Sequence, residues 1–148
     1  MWIYLNDRFV AEQEAVVSVF DHGFLYGDGV YETIRSYGSR IFMRGQHLAR
    51  LRRSAEAIGL AIPIPEQQWP ALLHEAMTRN EVGQDHCDAY IRITISRGPG
   101  DIGLDPALCP TPTVVIMTKP LQPPPPEQYK TGVSLIVAHT RRHLPSAL

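Results

Sequence analysis

The chain has 148 residues, of which 44% are apolar and 20% charged, and this composition is typical of one globular domain and not of a disordered chain. Its formal net charge of -1 argues against a nucleic-acid-binding domain, which would normally carry a basic patch or stripe. No apolar run approaches the length of a membrane span, and the N-terminus lacks the basic region and apolar core of a secretory signal.

The first part of the chain predicts two β-hairpins and a helix. Residues 2–10 contain two short β-prone runs around an Asn-Asp turn, and residues 29–43 form a second such pair around a Gly-Ser turn. Residues 45–60 repeat apolar side chains at intervals of three and four, which predicts a helix that stops near Gly59. The buried face of this helix is expected to hold Leu48, Leu51, Ala55 and Ile58.

The second part predicts a further helix and three strands. Residues 66–80 are amphipathic and helical, residues 88–98 alternate as a half-exposed strand, and residues 111–120 form a more continuously apolar strand that we expect to be central. Residues 132–142 predict another strand, and the four consecutive prolines at 123–126 indicate a rigid surface connector. The inward face of the second helix is expected to hold Trp69, Leu72, Leu73, Ala76 and Met77.

These elements predict an α+β domain, with a mostly antiparallel sheet and two helices between its strands. We expect the domain to occupy residues 1–122, and residues 123–148 to form a proline-rich connector and the start of an interdomain region. The sequence stops directly after the last predicted strand, in what should be a loop, so a truncated longer protein explains this end best.

The sequence supports neither a glycine-rich phosphate-binding site nor a histidine metal site. The glycines of residues 98–103 match GxGxxG after a strand, but Pro106 and Pro110 follow, so no phosphate-binding helix can start there. The histidines have no metal-ligand spacing, and we expect them to be scattered and mostly solvated, without a metal. They are His22, His47, His74, His86, His139 and His143. Cys87 and Cys109 are far apart and fit free thiols in a reducing cytoplasm, where we expect the protein to reside.

Arg50 differs from the other arginines of the first helix. It lies between the apolar positions Leu48 and Leu51, at the edge of the buried face, whereas Arg52 and Arg53 fit a solvated surface. An arginine at such an edge can pack its aliphatic stem and direct its planar guanidinium toward a buried anion.

Two predicted strands each place aromatic, hydroxyl and guanidinium groups on one face. Half-exposed strands often have this pattern, but here both strands accompany the glycine-rich residues 21–29, and together they favour the wall of a small-anion pocket. The two sets are Tyr31, Thr33 and Arg35, and Tyr90, Arg92 and Thr94.

Four segments together resemble the small N-terminal domain of fold-type IV, pyridoxal-phosphate-dependent aminotransferases. This family includes branched-chain and D-amino acid aminotransferases and aminodeoxychorismate lyases. The segments are DHGFLYGDGVYETIR, HLARLRRSAEAIGL, AYIRITISRG and GLDP, in the family's order and spacing. The resemblance implies pyridoxal 5'-phosphate as cofactor and amino transfer between a branched-chain-like amino acid and a 2-keto acid. It also implies a homodimer for the full-length protein.

The resemblance assigns roles to six residues at matching positions. Arg50 matches the arginine that binds the cofactor phosphate, a role that suits a bidentate guanidinium. Tyr26 and Tyr31 match aromatic residues that line the substrate side of the pocket. The positions near the substrate side chain or carboxylate are Arg35, Tyr90 and Arg92, and which arginine meets the carboxylate varies among subfamilies.

The chain departs from the family at the reactive lysine. The Schiff-base lysine of the family is expected a few residues after RRHLPSAL, beyond Leu148, so no catalytic residue is assigned within the chain. Lys119 and Lys130 flank the proline run, do not match the motif, and are expected to be surface residues. The family's large C-terminal domain is also absent, and we therefore expect the chain alone to be inactive.

The sequence leaves two other functions open. Aminodeoxychorismate lyases use the same cofactor and lysine, so the sequence does not separate them from aminotransferases. The loop SRGPGDIGLDP lacks a further arginine that some relatives use for a carboxylate, which slightly disfavours D-amino acid specificity. A non-catalytic small domain is the third possibility, and the missing lysine motivates it.

Overall fold

A computed structural model of the protein describes residues 1–84 and 87–140. The strands in these residues are β1 Trp2–Leu5, β2 Arg8–Ala11, β3 Gly29–Tyr37, β4 Arg40–Ile41, β5 Ala89–Ser96 and β6 Thr113–Pro120. The helices are α1 His22–Tyr26, α2 Arg44–Ala57, α3 Trp69–Arg79 and α4 Pro126–Thr131. Short 3-10 turns occupy Glu12–Glu14, Glu66–Gln68 and Pro106–Leu108. None of the described helices has the length and apolar character needed to cross a bilayer.

The strands form one sheet in the order β2-β1-β6-β5-β3-β4, and every neighbouring pair is antiparallel. The α+β prediction is therefore confirmed, as are both predicted hairpins and the central position of β6. The long helices α2 and α3 cover one face of the sheet, which we call the covered face, and bury the core against it. The opposite face, between β3 and β6, is the open face. At the centre of the core lie Ile34, Leu51, Leu73, Ile91, Ile93 and Ile116.

Helix α2 ends as its sequence predicts. Gly59 has a φ of 58°, a left-handed conformation that favours glycine, and its N–H donates to Glu56 O at 3.0 Å. The N–H of Leu60 donates to Ala55 O at 2.8 Å, which completes a Schellman motif. The expected burial of Ile58 is wrong, because the residue is the helix C-cap and its side chain is 39% exposed.

Helix α3 also agrees with its predicted pattern. Trp69, Leu73, Ala76 and Met77 are buried, and Leu72 is half-buried against the core. A proline lies in the first turn, where a missing N–H costs no intrahelical hydrogen bond.

The predicted strand over residues 132–142 is wrong within the described residues. Residues 132–140 contain no strand, and four apolar side chains of the segment are exposed. A strand needs a neighbour for its backbone hydrogen bonds, and this segment joins no strand of the described sheet. Residues 141 and 142, like His86 and His143, lie outside the described residues. Helix α4, which begins at the last proline of the run, was not predicted.

Candidate functional site

Of the six residues assigned by resemblance, four lie on the open face and Tyr26 lies beside it, in α1. The register of β3, β5 and β6 aligns their side chains in three rows across the strands. Side chains directly opposite each other on antiparallel strands are neighbours on one face. The rows are Tyr31–Thr94–Val115, Thr33–Arg92–Met117 and Arg35–Tyr90–Lys119. The polar faces of β3 and β5 therefore lie side by side in the fold.

Arg92 lies at the centre of this face and contacts Tyr31. The Arg92 guanidinium carbon lies 4.2 Å from the centroid of the Tyr31 ring, a cation–π contact between neighbouring rows. Arg92 forms no ion pair with a carboxylate of the described residues, so its charge is available to an anion on this face. The Tyr31 ring is 61% exposed and leaves the same space accessible.

Tyr90 lies among cationic and hydroxyl groups. The neighbouring Thr33 hydroxyl and Arg92 guanidinium lower the pKa of Tyr90, and the charge of Lys119 acts in the same direction. The Lys119 ammonium lies 5.2 Å from the Tyr90 ring centroid. These groups give the middle of the open face a positive character that suits a carboxylate ligand.

Arg35 already has a carboxylate partner. Its Nη2 donates to Asp88 Oδ2 at 2.7 Å, and Asp88 Oδ1 accepts from the Gly38 N–H at 2.9 Å. The Arg35 guanidinium also lies 4.4 Å from the Tyr37 ring centroid. Arg35 therefore supports the tip of the second hairpin, and of the two arginines on this face, Arg92 is the more available to a substrate.

Helix α1 forms a wall at one end of the open face. No helix is predicted from the glycine-rich residues 21–29, but residues 22–26 form a short helix that ends at Gly27, whose φ is 70°. The Tyr26 hydroxyl accepts a hydrogen bond from the Gly103 N–H at 3.2 Å. A cavity of about 250 Å³ lies beside α1, and Tyr31 is one of the strand residues that line it.

His22 is an exception to the expected solvation of the histidines. Its side chain is buried, its Nε2 donates to Asp101 O at 2.9 Å, and its ring packs edge-on against Tyr26 with 4.9 Å between centroids. The hydrogen bond to Asp101 joins α1 to the loop of residues 97–104, whereas the ring contact lies within α1. That loop contains the rejected GxGxxG pattern, and its glycines are followed by the 3-10 turn Pro106–Leu108 and not by an α-helix, as the prolines predict.

Arg50 lies on the covered face, away from the other five residues assigned by resemblance. Its Nε donates to Glu32 Oε1 at 2.5 Å and its Nη2 donates to Oε2 at 2.6 Å. The His47 Nδ1 also donates to Oε2, at 2.8 Å. Burial raises the pKa of Glu32, but the hydrogen bonds from Arg50 and His47 outweigh it and leave the pKa below its ordinary value. The predicted buried anion beside Arg50 is therefore a carboxylate of the protein itself.

The free edge of β3 brings the two parts of the site together. Only the last two residues of β3 pair with β4, so residues 29–34 form an edge that no described strand covers. Side chains alternate along a strand, and Tyr31 therefore lies on the open face while Glu32 lies on the covered face with Arg50. A ligand lying along this edge would contact Arg50 on one side and the open face on the other.

Neither lysine occupies a buried, reactive position. Lys119 is exposed at the end of β6, and Lys130 is exposed in α4. Among the described residues no group of three or more His, Cys, Asp or Glu side chains is arranged to hold a metal ion.

Three buried charged residues escaped the assignments made from sequence. They are Asp21, Glu32 and Arg97, each less than 10% exposed. The burial of Glu32 could have been predicted from the sequence, because the period-two alternation of the strand places it between Val30 and Ile34 on the inward face. The burial of Asp21 and Arg97 could not have been predicted in this way, since their partners are distant in sequence.

The chain is similar in sequence to several known proteins. The family model described as Amino-transferase class IV matches residues 29–148. A putative branched-chain-amino-acid aminotransferase of Methanocaldococcus jannaschii is 42% identical over 96% of this chain and 47% of its own length. Aminodeoxychorismate lyase of Bacillus subtilis is 33% identical over 97% of this chain and 47% of its own length. D-alanine aminotransferase of Bacillus licheniformis is 34% identical over 97% of this chain and 49% of its own length.

Solved structures show the same architecture. Branched-chain aminotransferase from Thermoproteus uzoniensis, with norvaline, superposes with a TM-score of 0.71 at 31% identity, over 82% of this chain and 41% of that one. Branched-chain amino acid aminotransferase from Escherichia coli superposes with a TM-score of 0.73 at 27% identity, over 81% and 41%. This chain spans about half the length of the curated relatives it matches. With its motifs in order, its antiparallel sheet and this match over residues 29–148, the chain belongs to the class IV aminotransferase family.

Proposed function

We propose that this chain forms the small domain of a pyridoxal-phosphate-dependent aminotransferase that transfers an amino group between a branched-chain-like amino acid and a 2-keto acid. One observation carries the proposal. The free edge of β3 has on one side the Arg50 guanidinium, which suits a phosphate, and on the other side the open face around Arg92, which suits a carboxylate. The relatives named as branched-chain and D-alanine aminotransferases support it.

The residues around Arg50 fit the phosphate of the cofactor. A cavity of about 270 Å³ is lined by Met43, Gln46, His47, Arg50 and Arg53, and its charged side chains are all basic. Glu32 fixes one side of the Arg50 guanidinium, and the rest of the group faces this cavity, where it would donate hydrogen bonds to phosphate oxygens. When bound, the cofactor serves as the electron sink for chemistry at the substrate carbon.

On the substrate side, this chain would bind and orient the amino acid. Arg92 would bind the carboxylate, because it lies at the centre of the face and has no described carboxylate partner. Tyr31, Tyr90 and Tyr26 would line the pocket around it, and Arg35 would act through its neighbour Tyr90. The reactive lysine is proposed to lie in sequence after Leu148, because neither Lys119 nor Lys130 matches the family motif.

Titration with cofactor tests the phosphate assignment. Arg50→Met should weaken binding of pyridoxal 5'-phosphate by about 10- to 100-fold, the equivalent of about 1.5–3 kcal/mol for a charged hydrogen-bonding group. Binding of pyridoxal, which lacks the phosphate, should hardly change. Arg52→Met is the control, because Arg52 lies on the same helix but does not line this cavity, and it should have a smaller effect. Equal losses for the two ligands would refute the assignment of Arg50.

Lyase chemistry remains the second candidate, because the Bacillus subtilis relative is named aminodeoxychorismate lyase. The complete protein should be assayed for amino transfer that depends on a keto acid, and separately for pyruvate release from aminodeoxychorismate. Release of pyruvate without amino transfer would replace the proposed reaction.

A homodimer in the cytoplasm completes the proposal. Apolar side chains on the segment before and within α1, and on the loop that contacts it, are exposed, and a second copy would cover them. They are Val16, Val17, Val19, Phe20, Phe24, Ile102 and Leu104. Light scattering on the complete protein should give twice the mass of one chain. Cys87 and Cys109 are free thiols, as a reducing compartment requires.

A further inference from the structure

Asp21 is a buried carboxylate that the proposed chemistry does not use. Its side chain is 1% exposed, and it immediately precedes α1. A buried carboxylate is costly unless its oxygens accept hydrogen bonds. Both oxygens of Asp21 do so, and the donors belong to three different elements.

The carboxylate joins α1 to the ends of two central strands. Oδ1 accepts from the Gly23 N–H at 2.8 Å and so caps the helix. Oδ2 accepts from the Ser96 hydroxyl at 2.9 Å and from the Thr113 hydroxyl at 2.6 Å. Ser96 and Thr113 are cross-strand partners at the end of the open face, so Asp21 fixes α1 at that end.

The contact between α1 and β5 is closely packed. A Cβ atom added at Gly23 would lie 2.5 Å from the Ser96 Cβ, so the helix backbone rests directly on the strand. The N–H of His22 donates to Gly98 O at 3.0 Å, and the N–H of Gly100 donates to Phe20 O at 3.2 Å. Helix α1 and the loop of residues 97–104 thus form one unit, and Asp21 anchors it.

This unit forms one wall of the 250 Å³ cavity on the open face. Asp21 and Gly23 line the cavity on the α1 side, while Tyr31 and Thr94 line the strand side. Tyr26 stands at the end of α1 and accepts the Gly103 N–H. A shift of α1 would therefore change the width of the cavity and the position of Tyr26 together.

We propose that Asp21 is a positioning residue, whose carboxylate clamps α1 to the ends of β5 and β6 and thereby sets the substrate pocket and the place of Tyr26. The role in substrate binding rests on the proposed function. The role in holding α1 does not.

Amide hydrogen exchange on the purified protein tests the clamp without any assay of activity. Asp21→Ala should speed exchange in residues 22–27 and 98–104 by about tenfold or more, while the centres of β5 and β6 stay protected. Asp105→Ala is the matched control, because Asp105 also caps a turn, accepting from the Ala107 N–H at 2.9 Å, but is exposed and outside the cavity. Unchanged exchange in Asp21→Ala, or an equal increase throughout the sheet, would overturn the proposal.

Thr113→Val keeps the clamp testable if Asp21→Ala does not fold. This near-isosteric change removes one hydroxyl donor and should produce the same local pattern of exchange, at smaller amplitude. An unchanged pattern would count against the clamp.

Kinetics of the cofactor-loaded complete protein test the effect on the pocket. Asp21→Ala should raise KM for the amino acid by about tenfold or more, with a smaller change in kcat, because a displaced wall weakens substrate positioning. The effects of Asp21→Ala and Tyr26→Phe should be less than additive, since both act through α1. Additive effects, or an unchanged KM, would overturn the role in the pocket. If the wild-type protein transfers no amino group, the proposed function fails, and the exchange result alone decides the clamp.

Discussion

Replacement of Arg97 by methionine should destabilise the fold by about 3 kcal/mol. Arg97 is 6% exposed, and its guanidinium makes four hydrogen bonds. Two reach the Asp28 carboxylate at 2.9 and 3.0 Å, and two reach the carbonyls of Gly59 and Ile58 at the end of α2, both at 2.8 Å. Methionine fills similar space but donates no hydrogen bond, so all four acceptors lose their partner.

The size of this loss follows from the Asp28 carboxylate, which remains without its partner. Removing one partner of a buried ion pair costs about 3–5 kcal/mol, because the other charge remains buried. The Asp28 side chain is 26% exposed and regains some water, which places the loss near the lower limit. Arg97→Lys keeps the charge, but one ammonium group cannot reproduce the planar fork toward Asp28 and also reach both carbonyls. Arg97→Lys should therefore lower the free energy of unfolding by at least about half as much as Arg97→Met.

Urea unfolding followed by the fluorescence of the buried Trp69 measures this loss. With a slope of about 1.5 kcal/mol per M, a loss of about 3 kcal/mol lowers the midpoint by about 2 M. Arg52→Met is the control, because its ion pair with Glu66 is exposed on both sides and should contribute less than about 0.5 kcal/mol. A loss below about 1 kcal/mol in Arg97→Met would refute the reasoning.

Two further changes test other parts of the fold. Because the pKa of Glu32 is lowered in the folded state, its ionised form stabilises the fold above about pH 4.3, and this contribution is lost as the pH falls through the lowered value. Glu32→Gln should remove that loss, which urea midpoints measured against pH would show as a flatter acid limb. Gly23→Ala should lower stability by about 1–3 kcal/mol, since its Cβ would collide with Ser96. Gly45→Ala, a helical position with open space around it, should instead raise the melting temperature slightly.

The fold was predictable where local pattern and burial coincide. The alternation in β5 predicted which side chains are buried, and the spacing of three and four predicted α2 and α3. Residues 132–142 show the limit, because β-propensity describes a side chain that fits a sheet and does not supply the neighbouring strand. Helix α4 is short and follows prolines, so no apolar periodicity marked it.

The site was predictable in its parts but not in its assembly. The alternation of Tyr31 and Arg35 placed them on one face, yet only the register of β3 with β5 shows that Arg92 lies beside Tyr31. Arg50 was expected to meet a buried anion, and its partner Glu32 is 18 residues away in sequence. The hydroxyl partners of Asp21 lie 75 and 92 residues away, and a single sequence carries no signal for such pairs.

The two ends of the glycine-rich segment are anchored on opposite sides of the sheet. Asp21, at its start, binds Ser96 on the open face. Asp28, near its end, binds Arg97, the residue that follows β5. Arg97 also reaches the end of α2 on the covered face. Successive residues of a strand point to opposite faces, so this division follows from strand geometry. The two anchors should therefore differ in effect: Asp21→Ala should raise substrate KM and leave cofactor affinity nearly unchanged, whereas Arg97→Met should weaken cofactor binding, because α2 carries Arg50. Parallel titrations with cofactor and substrate measure this difference, and equal losses of cofactor affinity in both variants would show that the anchors act as one.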